Sequence, residues 1–249
     1  MTLLVNSFEG GSSAATITTS NAGGNTGYPY GPALNNQFNT VSSVGTLVFD
    51  NTRAAHGLLS AKVAAPVSGN TAYVRWDSSL GTQTQIWFRM YLYFTAIPTA
   101  SSVRIFSYTN SSGTNCATVI VNPTTGYLEM VDTSGTNMIT FASAILLNQW
   151  FRVEGTVVNS ASAGSGALSM YPLDSSTATE SHVSAASFDT LANGARVFYG
   201  LAYTSAIVSP FWMDDVGVST TGYLGPVGGR ANRLGSGSVA ALLITQGVL

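Results

Sequence analysis

Two long stretches of strict alternation dominate the hydrophobic pattern of the chain. Across residues 86–94, Ile86, Phe88, Met90, Leu92 and Phe94 form one wholly apolar set, and Trp87, Arg89, Tyr91 and Tyr93 form the other. A period of two predicts a strand, because a helical period would mix the two sets. Residues 150–158 repeat the pattern, with Phe151, Val153 and Val157 inward. Shorter runs at 3–8, 46–49, 55–63, 73–76, 103–108, 117–121, 127–131, 167–171 and 195–203 read the same way. Residues 16–19 read as a weak strand and Tyr28–Pro32 as a constrained turn, while Asn110–Gly113 and Asn122–Gly126 supply hairpin turns. Many short, evenly spaced strands without a convincing helix predict an all-β, two-sheet antiparallel sandwich spanning residues 1–226.

The closing strand, Phe211–Val218, organises the rest. Alternation places Trp212, Asp214, Val216 and Val218 on one face. The adjacent acids Asp214 and Asp215 need partners, since a buried carboxylate must be paired, hydrogen-bonded or bound to a cation. The partner region expected for them is Asn6–Gly11, so that the first strand meets the last. After Pro226 the chain becomes Gly-rich, with Arg230 and Arg233, and then apolar over Val239–Thr245. Residues 227–249 are therefore expected to form a linker and an anchoring tail that docks on a neighbouring subunit of a multi-copy assembly.

Composition narrows the function. Hydrophobic residues are 45 % of the 249, enough for a sizeable core, but charged residues are only 8 %, far below the usual quarter. The polar surface must come from Ser, Thr, Asn and Gly, which favours contact with sugars or other subunits. A net charge of −2 with Lys62 as the only lysine gives no reason to expect nucleic acid. The longest apolar runs are too short to cross a bilayer, and no charged and apolar leader opens the sequence. The single cysteine, Cys116, excludes an internal disulfide or a multi-cysteine zinc site and reads as a small core residue.

Candidate chemistry is sparse. No closely alternating pair of acids of the glycosidase kind occurs on one strand. Glu129 and Asp132 fall on opposite faces near a turn, and Glu154 shares a face with Arg152 and Trp150, as expected of a surface ion pair. His56 and His182 could join Arg89 and Tyr91 in a lyase-like set, but His182 sits in a polar loop, and the expectation is a protein that is not an enzyme. Gly10-Gly11 and Gly164-Ser165-Gly166 lack the strand–turn–helix setting of a phosphate loop. Aromatics make the positive case. Trp87, Arg89, Tyr91 and Tyr93, extended by Trp76, Trp150 and Arg152, offer stacking surfaces and polar tips for a glycan. The competing reading is that they cover a sheet or an oligomer contact.

Taken together, the Asn-x-Phe-Glu-Gly opening at residues 6–10, Ala55–Val63, the Trp87–Phe94 strand, Gln149–Arg152 and Trp212–Val216 resemble concanavalin A-like (LamG-like) jelly rolls over roughly residues 3 to 226. The ending, Asp214-Asp215-Val216-Gly217-Val218 followed by Thr221-Gly222-Tyr223-Leu224-Gly225-Pro226, is similar to minor tail and other virion proteins of actinobacterial phages. The resemblance implies a virion structural protein on a phage tail or particle surface, with possible contact to host-surface glycan; a carbohydrate-binding adsorption module and a polysaccharide-degrading enzyme are the alternatives. It also implies a structural calcium where the termini meet, held by Asp214 with Glu9 as second ligand.

Overall fold

In the computed structural model, residues 1–23, 35–67, 69–98, 101–203 and 207–227 are described. They contain no helix and fifteen strands: β1 (Leu3–Asn6), β2 (Thr40–Ser43), β3 (Thr46–Asp50), β4 (Ser60–Ala65), β5 (Ala72–Trp76), β6 (Gln85–Phe94), β7 (Val103–Thr109), β8 (Asn115–Val121), β9 (Tyr127–Val131), β10 (Asn137–Ala144), β11 (Trp150–Val158), β12 (Ser165–Pro172), β13 (Glu180–Val183), β14 (Arg196–Leu201) and β15 (Ile207–Ser219). Sheet A runs β13-β12-β11-β6-β15-β4-β3, with β1 also on β15, and sheet B runs β10-β9-β8-β7-β14-β5-β2. The pairings within both sheets are antiparallel. This is the expected two-sheet sandwich. The Tyr28–Pro32 turn and nearly all of the expected tail lie outside the described residues.

The core forms where the inward alternates of both sheets interdigitate, as sheet-on-sheet packing requires. Phe88 of β6 stacks on Phe106 of β7 with centroids 3.9 Å apart, and Phe94 stacks on Phe211 at 4.9 Å. Cys116 is buried and free. The first strand does meet the last: Leu3 to Asn6 pair with Ser219 to Val216.

Local departures from the sequence reading have physical causes. Residues 55–59 are a loop rather than the start of a strand, and β4 begins only at Ser60. Residues 16–19 contribute a single bridge, Thr16 to Val48. The strands β2, β10 and β13 are short or polar edge strands whose alternation is weak in sequence, and His182 lies on β13 rather than in a loop. The largest departure is in β15. Its register against β6 shifts between Asp214 and Gly217, and Asp215 takes φ 45°. This is a β-bulge, one extra residue that re-aims its neighbours. Val216 and Val218 therefore join Phe211 and Met213 in the core instead of sharing a face with Trp212 and Asp214.

Trp76 also belongs to the core. It lies on sheet B, not on the sheet that carries Trp87, and it is fully buried against Phe38 at 4.8 Å and Tyr199 at 5.9 Å. Its indole N–H donates to the Gln37 carbonyl at 2.9 Å. Trp76→Ala should cost about 3–5 kcal/mol in urea denaturation; a loss below about 1 kcal/mol would contradict this placement.

Candidate functional site

The bulge puts Asp214 and Asp215 beside one another on the outer side of sheet A, where a gap in the sheet has to be closed. β15 pairs with β6 along one edge, while on its other edge the partner changes from β4, up to Met213, to β1, from Val216 onward. The loop before β4 fills the gap, and carboxylates satisfy its backbone. Asp214 Oδ2 accepts the N–H groups of Ala55 (2.9 Å) and His56 (3.3 Å), and its Oδ1 accepts that of Asp215 (2.8 Å). Glu9, just past β1, accepts the N–H groups of Leu58 (2.8 Å) and Leu59 (2.9 Å). Gly57, at φ 73°, leaves room for that carboxylate; a Cβ there would come 2.2 Å from Glu9 Oε1.

Held by this loop, the His56 ring sits between two acids, with Nδ1 2.5 Å from Asp215 Oδ2 and Nε2 2.8 Å from Asp174 Oδ2. Asp174 comes from the turn after β12 and accepts the Tyr91 hydroxyl at 2.5 Å. That hydroxyl in turn accepts the Val227 N–H at 3.0 Å, and the Tyr91 and His56 rings meet edge to face at 5.0 Å. Arg89 donates to the Asp215 carbonyl at 3.2 Å and to the Gly225 carbonyl at 2.8 Å. Arg152 donates to the carbonyls of Leu173 and Ser175 and pairs with Glu154 at 3.0 Å. The Arg152–Glu154 pair is buried, not on the surface, because the 173–175 turn and residues 225–227 lie over it.

Electrostatics follow from this closure. Burial alone would lower the His56 pKa, but hydrogen bonds and charge from Asp215 and Asp174 raise it. Burial pushes Asp214 well up, reinforced by Asp215 and opposed by its backbone donors. Burial also raises Asp215 against the pull of His56 and Arg89. Asp174 is held below the usual carboxylate range: burial acts upward, but Tyr91, His56 and Arg152 outweigh it. Burial drives the Tyr91 phenol up. The arrangement suits a protonated imidazole clamped between two carboxylates.

The donor set does not fit the calcium implied by the resemblance. Both oxygens of Asp214 and Oε1 of Glu9 already face backbone N–H groups, whereas a calcium site needs several oxygens free to converge on one cation. Among the described residues no group of three or more His, Cys, Asp or Glu is placed to hold a metal.

The seven residues expected on a glycan face divide three ways. Arg89, Tyr91 and Arg152 are buried in the polar network, and Trp76 is in the core. Trp87, Tyr93 and Trp150 stay half-buried on the outer side of sheet A. Tyr93 touches Trp150 edge to face at 5.6 Å and Trp212 at 5.9 Å. The Arg53 guanidinium lies 4.1 Å over Trp212 and 5.1 Å over Tyr93, with Lys62 5.7 Å over Trp212. Sequence reasoning missed Asp174 and Arg53, because both sit outside the strands; a lone acid and a lone base in a charge-poor chain were the only signal.

No protein-family model and no curated protein matches the chain. Solved structures do share its fold. Cellulose induced protein Cip1 is similar at TM-score 0.56 and 13 % identity, over 89 % of this chain and 99 % of that one. The botulinum neurotoxin serotype G binding domain is similar at TM-score 0.49 and 13 % identity, over 87 % of this chain; this chain spans 47 % of that one. The polysaccharide lyase family 7 alginate lyase AlgAT5 is similar at TM-score 0.45 and 12 % identity, over 87 % of this chain and 94 % of that one. At such identities the likeness shows the fold alone: the chain is a jelly-roll, concanavalin A-like β-sandwich. The expectation of a protein that is not an enzyme is corrected here. Solved structures similar to this chain include an alginate lyase, and the fold brings together His56, Arg89 and Tyr91, a set passed over in the sequence because His182 falls in a polar segment.

Two predictions follow from the network. Asp214→Ala strands one buried and two part-buried N–H donors and should cost on the order of 3 kcal/mol in chemical denaturation, while Asp214→Asn, which keeps an acceptor, should cost less than half as much. Equal losses would show that the hydrogen bonds are not what matters. The raised His56 pKa contributes stability that is complete below its unfolded value near 6.5 and is lost as pH rises through the folded value. The melting temperature should therefore fall as pH increases above neutrality, and His56→Gln should shrink that fall; an unchanged slope would rule out the clamped imidazolium.

Proposed function

We propose that the protein is a glycan-recognising jelly roll, carried on a phage particle as a minor tail or surface component. The observation that carries glycan recognition is the accessible Tyr93–Trp150 pair beside Arg53 and Lys62, on a sheet face where Arg89, Arg152, Asp214 and Asp215 are buried. Sugar C–H faces stack on such rings while a guanidinium or ammonium bonds their hydroxyls. The particle setting is supported by the phage-like segment 214–226 and by a surface built from uncharged polar residues. In this reading residues 227–249 join the protein to neighbouring subunits.

A second reading, polysaccharide cleavage, is favoured by the convergence of His56, Arg89 and Tyr91 on sheet A. Against it, the Tyr91 hydroxyl is held between Asp174 and the Val227 N–H, and burial disfavours its ionisation. Release of unsaturated or reducing products from a polysaccharide panel would establish cleavage.

A glycan array probed with the full chain should show selective binding. Trp150→Ala should weaken it roughly tenfold or more, as loss of one stacking aromatic does at a binding centre, with little change in melting temperature. No bound glycan, or full binding by the variant, would refute the assignment to this face.

A further inference from the structure

Away from the aromatic face, the turn between β5 and β6 lines a surface depression. It lies where β5, β7 and β14 meet the turn into β6, has a volume of about 360 Å³, and is lined by Asp77, Ser78, Thr82, Ser111 and Arg196 among others. It is an open depression rather than an enclosed cleft, with Ser78, Gly81, Thr82 and Ser111 exposed. Its walls are fixed. The Asp77 carbonyl accepts the N–H groups of Leu80 and Gly81 at 3.0 Å each, and Gln83 pairs with Gly194 across the gap to the 194–196 segment. Asn110 Oδ1 caps the β7–β8 hairpin through the N–H groups of Ser112 and Thr114.

The two charges in the depression differ in what they still need. Asp77 is already satisfied: one oxygen pairs with Arg75 at 2.7 Å and the other accepts the Ser78 N–H at 2.6 Å. Arg196 is half-buried at the start of β14, with Nη1 3.8 Å from where a Cβ of Gly113 would stand, and it has no acceptor among the described residues. A half-buried guanidinium without an acceptor among the described residues, facing an open depression lined by three hydroxyls, is set to receive a planar anion in fork geometry. The hydroxyls and the spare lone pairs of Asp77 suit a polyol. A single cation faced by a carboxylate does not suit a multiply charged phosphate. No aromatic ring in the lining offers a base-stacking surface.

We infer that this depression binds an acidic saccharide unit, with Arg196 taking the sugar carboxylate and Asp77, Ser78, Thr82 and Ser111 bonding its hydroxyls. The inference does not depend on the aromatic face of sheet A.

The test is calorimetric titration of the full chain with a galacturonate disaccharide, the matched neutral galactose disaccharide, and sodium sulfate as a bare anion. The acidic disaccharide should bind at least roughly tenfold more tightly than either of the others, the value of one charge-assisted hydrogen-bond pair. Arg196→Ala should remove that preference and Arg196→Lys should keep part of it, both melting as the parent protein does. Trp150→Ala should leave it unchanged, which separates this site from the aromatic face. Equal binding of acidic and neutral sugar, no binding of either, sulfate binding as tightly as the sugar, or an unaffected Arg196→Ala would each overturn the inference.

Discussion

A change of strand partner governs this structure. β15 is thirteen residues long, and along one edge no single neighbour accompanies it; β4 and β1 share it end to end. The loop that fills the interruption would otherwise be left with part-buried backbone donors lacking acceptors, each costing up to about 1–3 kcal/mol. Asp214 and Glu9 supply the acceptors, from the strand itself and from the chain just beyond β1. The bulge at Asp215 is the geometric condition for this, since without it the second acid would point into the core.

The rest of the outer side of sheet A is arranged around that repair. Once two carboxylates are buried, counter-charges must be buried with them. His56, Arg89 and Arg152 do this by bridging acids and loop carbonyls. A chain with few charges thus spends a large share of them inside, and its accessible recognition chemistry falls to aromatics and hydroxyls with a few basic groups such as Arg53 and Arg196. Two places on the molecule differ accordingly: the outer side of sheet A carries an ionic network beside the Tyr93–Trp150 pair, and a depression by the turn into β6 is lined by Arg196, which has no acceptor among the described residues.

How much was legible in the sequence depended on the range of the signal. The alternation in residues 86–94 and 150–158 needs only a period of two and one buried face, so strand identity and inward residues were plain. The pairing of the first strand with the last was also readable, because two adjacent acids in an otherwise uncharged region demand a partner. Which face each acid occupies was not readable. Alternation assumes an unbroken ladder, and one bulge reverses every residue after it, which is why Val216 and Val218 face the core.

The same limit divides the candidate site. Sequence by itself determined the all-β sandwich, the closure of its ends, and the sets of aromatics that alternate with core residues, because these rest on local periodicity and the burial it implies. Only the tertiary structure decided that Tyr91, Arg89 and Arg152 lie under loops while Tyr93 and Trp150 stay accessible. It alone brought Asp174 to His56 across 118 residues and placed Trp76 between the sheets. Exposure and charge pairing depend on which distant segment lies over a strand, and no period within one strand records what covers it.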